Sequence, residues 1–436
     1  MAFGMTWKLG ATALAVLMGT PLLAAPSVAG DDSAPTNSAL GALSFLGGFR
    51  IDGRLDSLYD SNMLRRGNGF PTGGDKSDFR ITPSVTVAYG LPIGRQELTV
   101  SGNFGRDFFL RNSDLSRNRY GIDAGLNWRV GARCSGLVDV GFLSRQQVFS
   151  EVSAVTVNAQ ETLNAGVSAF CQTATGIGFG VTGRHSEVRN SNTNRVALDV
   201  DSDAITPQVT YGSPSLGQFS FSGTFNKARY PNRNVLTADF VLQPDEVKIL
   251  SGRAGYQRGL GGRLSVNAGL SYFEVKPEPQ LAVVQIEPGV FVGVDREPTS
   301  NLGFDLGLNY ASGSRLSGSL VARRQGTASI NVGATYQVVS TLAGDIDYRL
   351  NRAISLNLSA SYDQRDYRNS FATIEEPLPR VQDKFTRVAG SISYSPVDLY
   401  SLSFELSHQK RDSDPVEYSY DATAAVLRLR VGFGGN

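Results

Sequence analysis

The sequence is short of the residues that most chemistry needs. Its 436 residues hold two histidines, two cysteines and two tryptophans. Beyond the N-terminus there is no run of about 18 apolar residues, which excludes a helical membrane protein. Net charge is almost absent: 41 basic residues face 40 acidic ones, so nothing suits nucleic acid as a partner. Neither histidine has a partner at a catalytic spacing. His185 and His408 both fall on the apolar parity of their segments, and the chain reads as a non-enzyme, with a hydrolase at the rim of a pore as the weakest alternative. No cofactor motif is present. Gly176-Ile177-Gly178-Phe179-Gly180 is glycine-rich, but no helix follows it to hold a phosphate, so a tight turn entering a strand fits better. Asp199, Asp201 and Asp203 alternate as at the start of a calcium loop, yet Ala204 stands where glycine is needed and Thr210 where the bidentate glutamate belongs. No metal site is expected there.

What the chain does have is glycine, tyrosine and alternation. Residues 77–110 carry the pattern most clearly. Phe79, Ile81, Val85, Val87 and Tyr89 share one parity, and Asp78, Arg80, Thr82, Ser84 and Thr86 share the other. Successive side chains of a strand point to opposite faces, so one face is apolar and the other polar. After a Pro/Gly turn, Leu98, Val100 and Phe104 alternate with Glu97, Thr99, Ser101 and Asn103. Runs of about a dozen residues match the strands of an outer-membrane barrel, while soluble strands average about five or six. The hairpin recurs over 202–230.

Taken along the chain, the pattern predicts an all-β fold: a transmembrane antiparallel β-barrel of about eighteen strands. Residues 1–29 read as a signal peptide, with Lys8, an apolar stretch from Leu9 to Ala25, and Ser27-Val28-Ala29 before the cut. No cysteine lies near the cut, so a lipoprotein anchor is not indicated. Residues 30–47 form an N-terminal periplasmic segment, and 48–436 the barrel. That segment is too small for a plug, which argues against a TonB-dependent transporter. After a first strand from Gly48 and the hairpin of 77–110, strands pair as 118–131 with 136–150, 158–173 with 176–190, 202–213 with 217–230, and 245–258 with 261–276. Next come 300–312 with 314–327 and 334–350 with 352–367, then 380–396, 397–411 and 418–433. Short connections such as 131–135 alternate with long polar ones such as 190–201, 231–244 and 277–299. Short turns belong to the periplasm and long loops to the exterior. Tyr89, Trp128, Tyr211, Tyr256, Tyr310, Tyr348 and Tyr394 each precede a short turn on the apolar parity and form an interfacial girdle. Phe170 has the opposite parity, which points to a bulge. The last strand places Ala425, Leu427, Leu429, Val431 and Phe433 on one face, a terminal strand of the kind the barrel assembly machinery reads, although Gly-Gly-Asn follows it. The expected surroundings are outer-membrane lipid in a Gram-negative envelope.

The polar parity sets the candidate lumen. Asp52, Arg54, Asp56, Arg80, Asp123, Arg129, Asp139, Asp345, Asp347, Arg349, Arg428 and Arg430 point inward in this register. Both signs are mixed, so strong ion selection is not implied. The charges either line a channel or brace the wall, and the two are compatible. Phe149, Tyr230, Phe273, Tyr367 and Tyr420 have lumen parity near the extracellular strand ends. Rings beside mixed charges suit glycans, whose apolar C–H faces lie beside hydroxyls. The alternative is a bulge that turns the rings outward. Cys134 opens one strand and Cys171 closes the next, so folding that hairpin brings both to the periplasmic edge. They either pair as a disulfide in the oxidising periplasm or remain two small apolar residues.

Several stretches carry a family likeness: Gly53-Arg54-Leu55-Asp56-Ser57-Leu58-Tyr59-Asp60-Ser61-Asn62, Ile81-Thr82-Pro83, Asp347-Tyr348-Arg349-Leu350-Asn351-Arg352 and Ser359-Ala360-Ser361-Tyr362. In these the chain resembles the Putative beta-barrel porin 2 family of outer-membrane proteins, often associated with exopolysaccharide loci. The resemblance extends over nearly all of the mature chain. It implies an outer-membrane channel or a secretion-associated pore, with polysaccharide or secretion-system components as partners, and it identifies no catalytic residue. A structural or accessory envelope component with little conductance is the rival reading.

Overall fold

The computed structural model describes residues 48–67, 76–147, 157–237, 241–287, 290–313, 315–329, 334, 336–368, 370 and 379–434. The signal peptide, the segment 30–47 and Phe149 lie outside them. The strands are β1 (Phe49–Asp60), β2 (Asp78–Ile93), β3 (Gln96–Phe109), β4 (Arg117–Val130), β5 (Cys134–Gln146), β6 (Ala159–Gln172) and β7 (Ile177–Asn190). They continue as β8 (Val200–Ser213), β9 (Gly217–Thr237), β10 (Leu242–Leu260), β11 (Leu264–Glu278), β12 (Leu281–Glu287), β13 (Val290–Asp295) and β14 (Thr299–Ser312). The last are β15 (Leu316–Ala328), β16 (Tyr336–Arg349), β17 (Ile354–Arg368), β18 (Gln382–Val397), β19 (Tyr400–Asp414) and β20 (Tyr420–Gly434).

Eighteen of these strands form a closed antiparallel barrel. Neighbours in sequence are neighbours in the wall, β11 passes directly to β14, and β20 returns to β1 through Leu55↔Leu429 and its flanking pairs. Closure gives each of the eighteen wall strands a neighbour on both sides, which removes the free edge strand that hydrocarbon would not tolerate. At one end the turns are two to four residues long, tight enough that Gly94, Gly131 and Gly313 adopt positive φ. This is the periplasmic end by the rule that barrels keep short periplasmic turns.

The alternation seen in the sequence becomes two surfaces. Val85, Val87, Ile122, Val138, Phe221, Leu342, Ile346 and Leu406 are exposed on the outer wall, where apolar side chains are stable only against lipid. Tyr89, Tyr211, Tyr310, Tyr348 and Tyr394 are exposed on that wall just before the short turns, with Trp128 and Tyr256 less so. Tyr256 stacks at 5.0 Å on Phe219 and donates its hydroxyl to the Leu216 carbonyl.

Two expectations are corrected. Phe170 marks no bulge: the register through Ser135↔Phe170 and Phe170↔Gly180 is unbroken. The ring faces inward and fills space that side chains at Gly178 and Gly180 would need. The stretch 277–299 is not simply a polar loop. It contains the hairpin β12–β13, and β12 pairs with an upward extension of β9 at Ala282↔Thr237 and Val283↔Leu236. β9 therefore runs beyond the expected end at Tyr230, and its pairing with β10 shifts register between Pro244 and Asp245.

Candidate functional site: the lumen and its extracellular cap

The inner wall follows a simple rule. A glycine on one strand stands directly opposite a polar residue on the next: Asn103↔Gly121, Asp123↔Gly141, Asp139↔Gly166, Asn267↔Gly307 and Asp52↔Gly432. In each pair the polar side chain lies over the glycine. A Cβ at Gly141 would meet Asp123 Oδ1 at 2.6 Å, and one at Gly166 would meet Asp139 Oδ1 at 2.6 Å. Glycine leaves room for the neighbouring polar side chain to lie across the wall. From β11 to β19 the inner face is rich in hydroxyls and amides. One row reads Ser265↔Asn309↔Ser319 and continues through the carboxylate Asp345 to Ser359, and another, wholly of hydroxyls, reads Ser355↔Ser393↔Ser403.

Most of the predicted lumen charges are held by neighbouring side chains, and two pairs, Asp52–Arg430 and Arg54–Asp56, form within the predicted set. Asp52 accepts from Arg50 at 2.7 Å and from Arg430 at 3.0 Å, a bridge across the β1–β20 closure. Arg54 holds Asp56 at 2.6 Å, and Arg80 stands 3.9 Å from Asp107 with its guanidinium over the Phe109 ring. Arg428 donates to Glu405 at 3.1 Å, and Arg387 reaches the other oxygen at the same distance. Asp347 accepts from Asn357 at 2.9 Å, and Asp345 accepts from the Ser319 hydroxyl. Arg129 and Arg349 are exposed at the periplasmic strand ends. The set is spread around the wall and converges on no single centre.

Cys134 and Cys171 stand opposite each other on β5 and β6 and are joined by a disulfide, on the outer parity at the periplasmic edge. His185 also faces outward, within 2.7 Å of Asp203 and 3.0 Å of Glu187, among charged neighbours such as the Arg189–Asp201 pair. His408 Nδ1 lies 3.0 Å from the Thr423 hydroxyl. Neither faces the lumen. Among the described residues no group of three or more His, Cys, Asp or Glu side chains could hold a metal, and Asp199 is used otherwise: it accepts from Asn190 and Asn232.

The extracellular end is packed. Tyr230, Phe273, Tyr367 and Tyr420 face inward as their parity requires, but each is buried. The expectation of rings open to a passing glycan is therefore corrected for these four, because packing covers them. Tyr230 and Phe273 join Val247, Ile249, Val275, Tyr336 and Val338 in one apolar cluster. A second cluster, Met63, Leu64, Phe109 and Leu115, joins the residues just after β1 to the end of β3 and the short helical turn that follows it.

Aspartates fasten this cap, each gathering donors from separate segments. Asp78 accepts from the backbone N–H groups of Phe79, Arg111 and Asn112. Burial alone would raise its pKa, but these hydrogen bonds outweigh it and hold the carboxyl below the usual range. Asp245 bridges Arg233 at 2.7 Å and Arg296 at 2.6 Å, and Arg233 lies 3.5 Å over the Tyr230 ring. This ties β9, β10 and the segment after β13 together. Asp383 accepts from Arg411 at 2.5 Å, Ser413 at 2.5 Å and the Tyr367 hydroxyl at 2.7 Å. Burial again opposes its charge, and the Arg411 and Arg380 guanidiniums overcome that and keep its pKa below the ordinary carboxylate value. Sequence reasoning missed Asp245, Arg296 and Asp383 because they lie at strand ends, where parity carries no information about partners from distant loops.

A closed barrel of 18 strands with an apolar exterior, an interfacial tyrosine row and a polar interior defines an outer-membrane β-barrel protein. Residues 300–433 match the family described as Putative beta-barrel porin 2. The late motifs 347–352 and 359–362 fall within that match, and the motif at 53–62 falls outside it. No curated protein matches the sequence. Among solved structures, the apoprotein form of the FrpB iron transporter from Neisseria meningitidis (F5-1 variant) shares 12% identity and a TM-score of 0.51, over 85% of this chain and 63% of that one. OpdQ from Pseudomonas aeruginosa shares 8% identity and a TM-score of 0.44, over 89% and 98% of the two chains. The siderophore receptor PirA from Pseudomonas aeruginosa shares 12% with a TM-score of 0.44, over 88% and 80%. The chain spans less than two thirds of the FrpB transporter, at 63% of its length, and at these identities the likeness is one of fold.

Proposed function

We propose that the barrel is an outer-membrane pore for hydrophilic solutes, with oligosaccharide or polysaccharide segments as the favoured cargo. The observation that carries this reading is the inner wall: side chains laid over glycines and rows of hydroxyls and amides on β11–β19. Eighteen-strand barrels enclose an aqueous channel unless something fills it. Neutral hydrogen-bonding groups exchange readily with those of a sugar or of water, so a polyhydroxylated solute is held weakly enough to leave. The wall also carries paired charges of both signs, such as Arg50–Asp52, Arg54–Asp56 and Arg428–Glu405, which favour no strong ionic selection.

The packed extracellular cap favours the rival reading, an accessory envelope component with little conductance. Planar-bilayer recording separates the two. A pore gives discrete conductance steps that neutral oligosaccharides block. A scaffold gives none, and current indifferent to every oligosaccharide removes the glycan part while keeping a general diffusion pore.

A further inference from the structure

The β15–β16 hairpin departs from the wall. β14 and β15 pair from Ser312↔Leu316 up to Phe304↔Arg324 and stop there, although β14 continues to Thr299 and β15 to Ala328. Above that point β15 stays paired with β16 through Ala328↔Tyr336, and β16 with β17 through Tyr336↔Arg368. The hairpin has turned inward. Its outer parity proves it: Leu342, Ile346 and Tyr348 of β16 are exposed on the membrane side, whereas Tyr336 and Val338 on the same face are 1% exposed. These two pack against Tyr230, Val247, Phe273 and Val275, which belong to the inner face of β9–β11.

The inward seat is shaped for it. A Cβ at Gly326 would come within 2.5 Å of the Phe273 ring, and one at Gly303 within 2.6 Å of the Arg324 carbonyl oxygen. The hairpin therefore approaches both walls more closely than other residues would permit. Tyr230 donates its hydroxyl to the Ser329 carbonyl at 2.5 Å, a bond between the wall and the hairpin. The outward seat is equally defined. Continuing the register of Phe304↔Arg324 places Leu302 opposite Gly326 and Ser300 opposite Ala328. Residues 299–303 of β14 are paired with β11 on their other side, and among the described residues that upper edge has no strand partner toward β15.

We propose that the β15–β16 hairpin is a two-position gate. In the inward position it buries Tyr336 and Val338 on β9–β11 and narrows the bore. In the outward position it zips onto residues 299–303 of β14, completes the wall and widens the channel. The two positions exchange comparable interactions, apolar burial against strand pairing, which is what a bistable element requires. This rests on the pore reading and adds its regulation.

The test uses full-length protein with Cys134→Ser and Cys171→Ser, so that only introduced cysteines can pair. Leu302→Cys with Gly326→Cys can join only in the outward position, and Phe273→Cys with Gly326→Cys joins in the inward one. Heat-modifiable migration on a detergent gel verifies folding of each. The expected result is that the outward cross-link gives a steady current at least about twofold above the cysteine-free parent, which keeps Gly326, and the inward cross-link holds the lower level. Tyr230→Phe, which removes the hydroxyl's bonds to Ser329 and to Arg233, should lengthen dwell in the higher level without any cross-link. Folded Leu302→Cys/Gly326→Cys protein that never cross-links, or that cross-links without changing the current, overturns the gate even where the pore conducts. If neither the cysteine-free parent nor either cross-linked protein conducts current, the pore reading fails, and the gate fails with it.

Discussion

Asp139 and Gly166 stand directly opposite each other on β5 and β6, and the carboxylate occupies the space that a side chain at 166 would take. Gly166→Leu forces Asp139 off the wall and into the bore. Overpacking of this kind costs about 1–3 kcal/mol, so the folded form should convert to the unfolded one at lower temperature on detergent gels. Single-channel conductance should fall at the same time. A variant with unchanged stability and conductance would mean that the carboxylate does not depend on the glycine.

This pairing also marks where the sequence stops being legible. Alternation revealed the strands and the two faces because Val85, Val87 and Tyr89 meet lipid and Arg80, Thr82 and Ser84 do not; that is a local property of each strand. The role of Gly166 depends on which residue lies across from it, and cross-strand register is set by the whole barrel. Phe170 shows the same limit: its parity was readable, but its space comes from Gly178 and Gly180 on the next strand. The cap was hidden for a further reason. Tyr336 and Val338 have membrane-facing parity and are buried only because their hairpin leaves the wall.

Acid should loosen the cap through Asp383. Its folded pKa is held below the ordinary carboxylate value, so its contribution is fully present above the unfolded value near about 3.9 and is lost as pH falls through the lower folded value. Protection of the amides around Tyr367 and Arg411, measured against the intrinsic exchange rate at each pH, should fall below about pH 4 and stay high at neutral pH. Asp383→Asn should loosen the same region at neutral pH, since removing one partner of a buried ion pair costs about 3–5 kcal/mol. Exchange insensitive to both changes would show that Arg380 and Arg411 are held by other groups.

The disulfide between Cys134 and Cys171 spans a sequence separation of 37. A loop of that size corresponds to about 3–5 kcal/mol in the chain-entropy account. Thiol titration of unreduced, denatured protein should find no free thiol, and Cys134→Ser with Cys171→Ser should unfold at lower denaturant concentration. Equal unfolding midpoints with and without reductant would remove any stabilising role.

Orientation follows from turn length and can be read by labelling. A cysteine at Gly313, in a three-residue turn between β14 and β15, should be shielded from an impermeant maleimide in intact cells. One at Asn112, in the β3–β4 connection at the opposite end, should react. The reverse pattern would place the tyrosine row at the outer rather than the inner membrane–water boundary.

Burial of the four described mouth rings changes what their replacement should do. Phe273 is 3% exposed and packs against the hairpin, and Tyr367 is held in place through Asp383. Rings that offer no free face cannot stack on a sugar. Truncating a buried Phe costs about 3–5 kcal/mol, so Phe273→Ala should lower the unfolding temperature and disturb the seat of the hairpin. Tyr367→Phe, which removes one hydrogen bond to a charged acceptor that Arg411 still holds, should cost about 1.5–3 kcal/mol. Neither change should slow the rate at which an oligosaccharide blocks the open channel, measured at matched conductance. A clear fall in that rate for Tyr367→Phe, with the fold intact, would place the ring in the path of the solute and return the mouth aromatics to glycan contact.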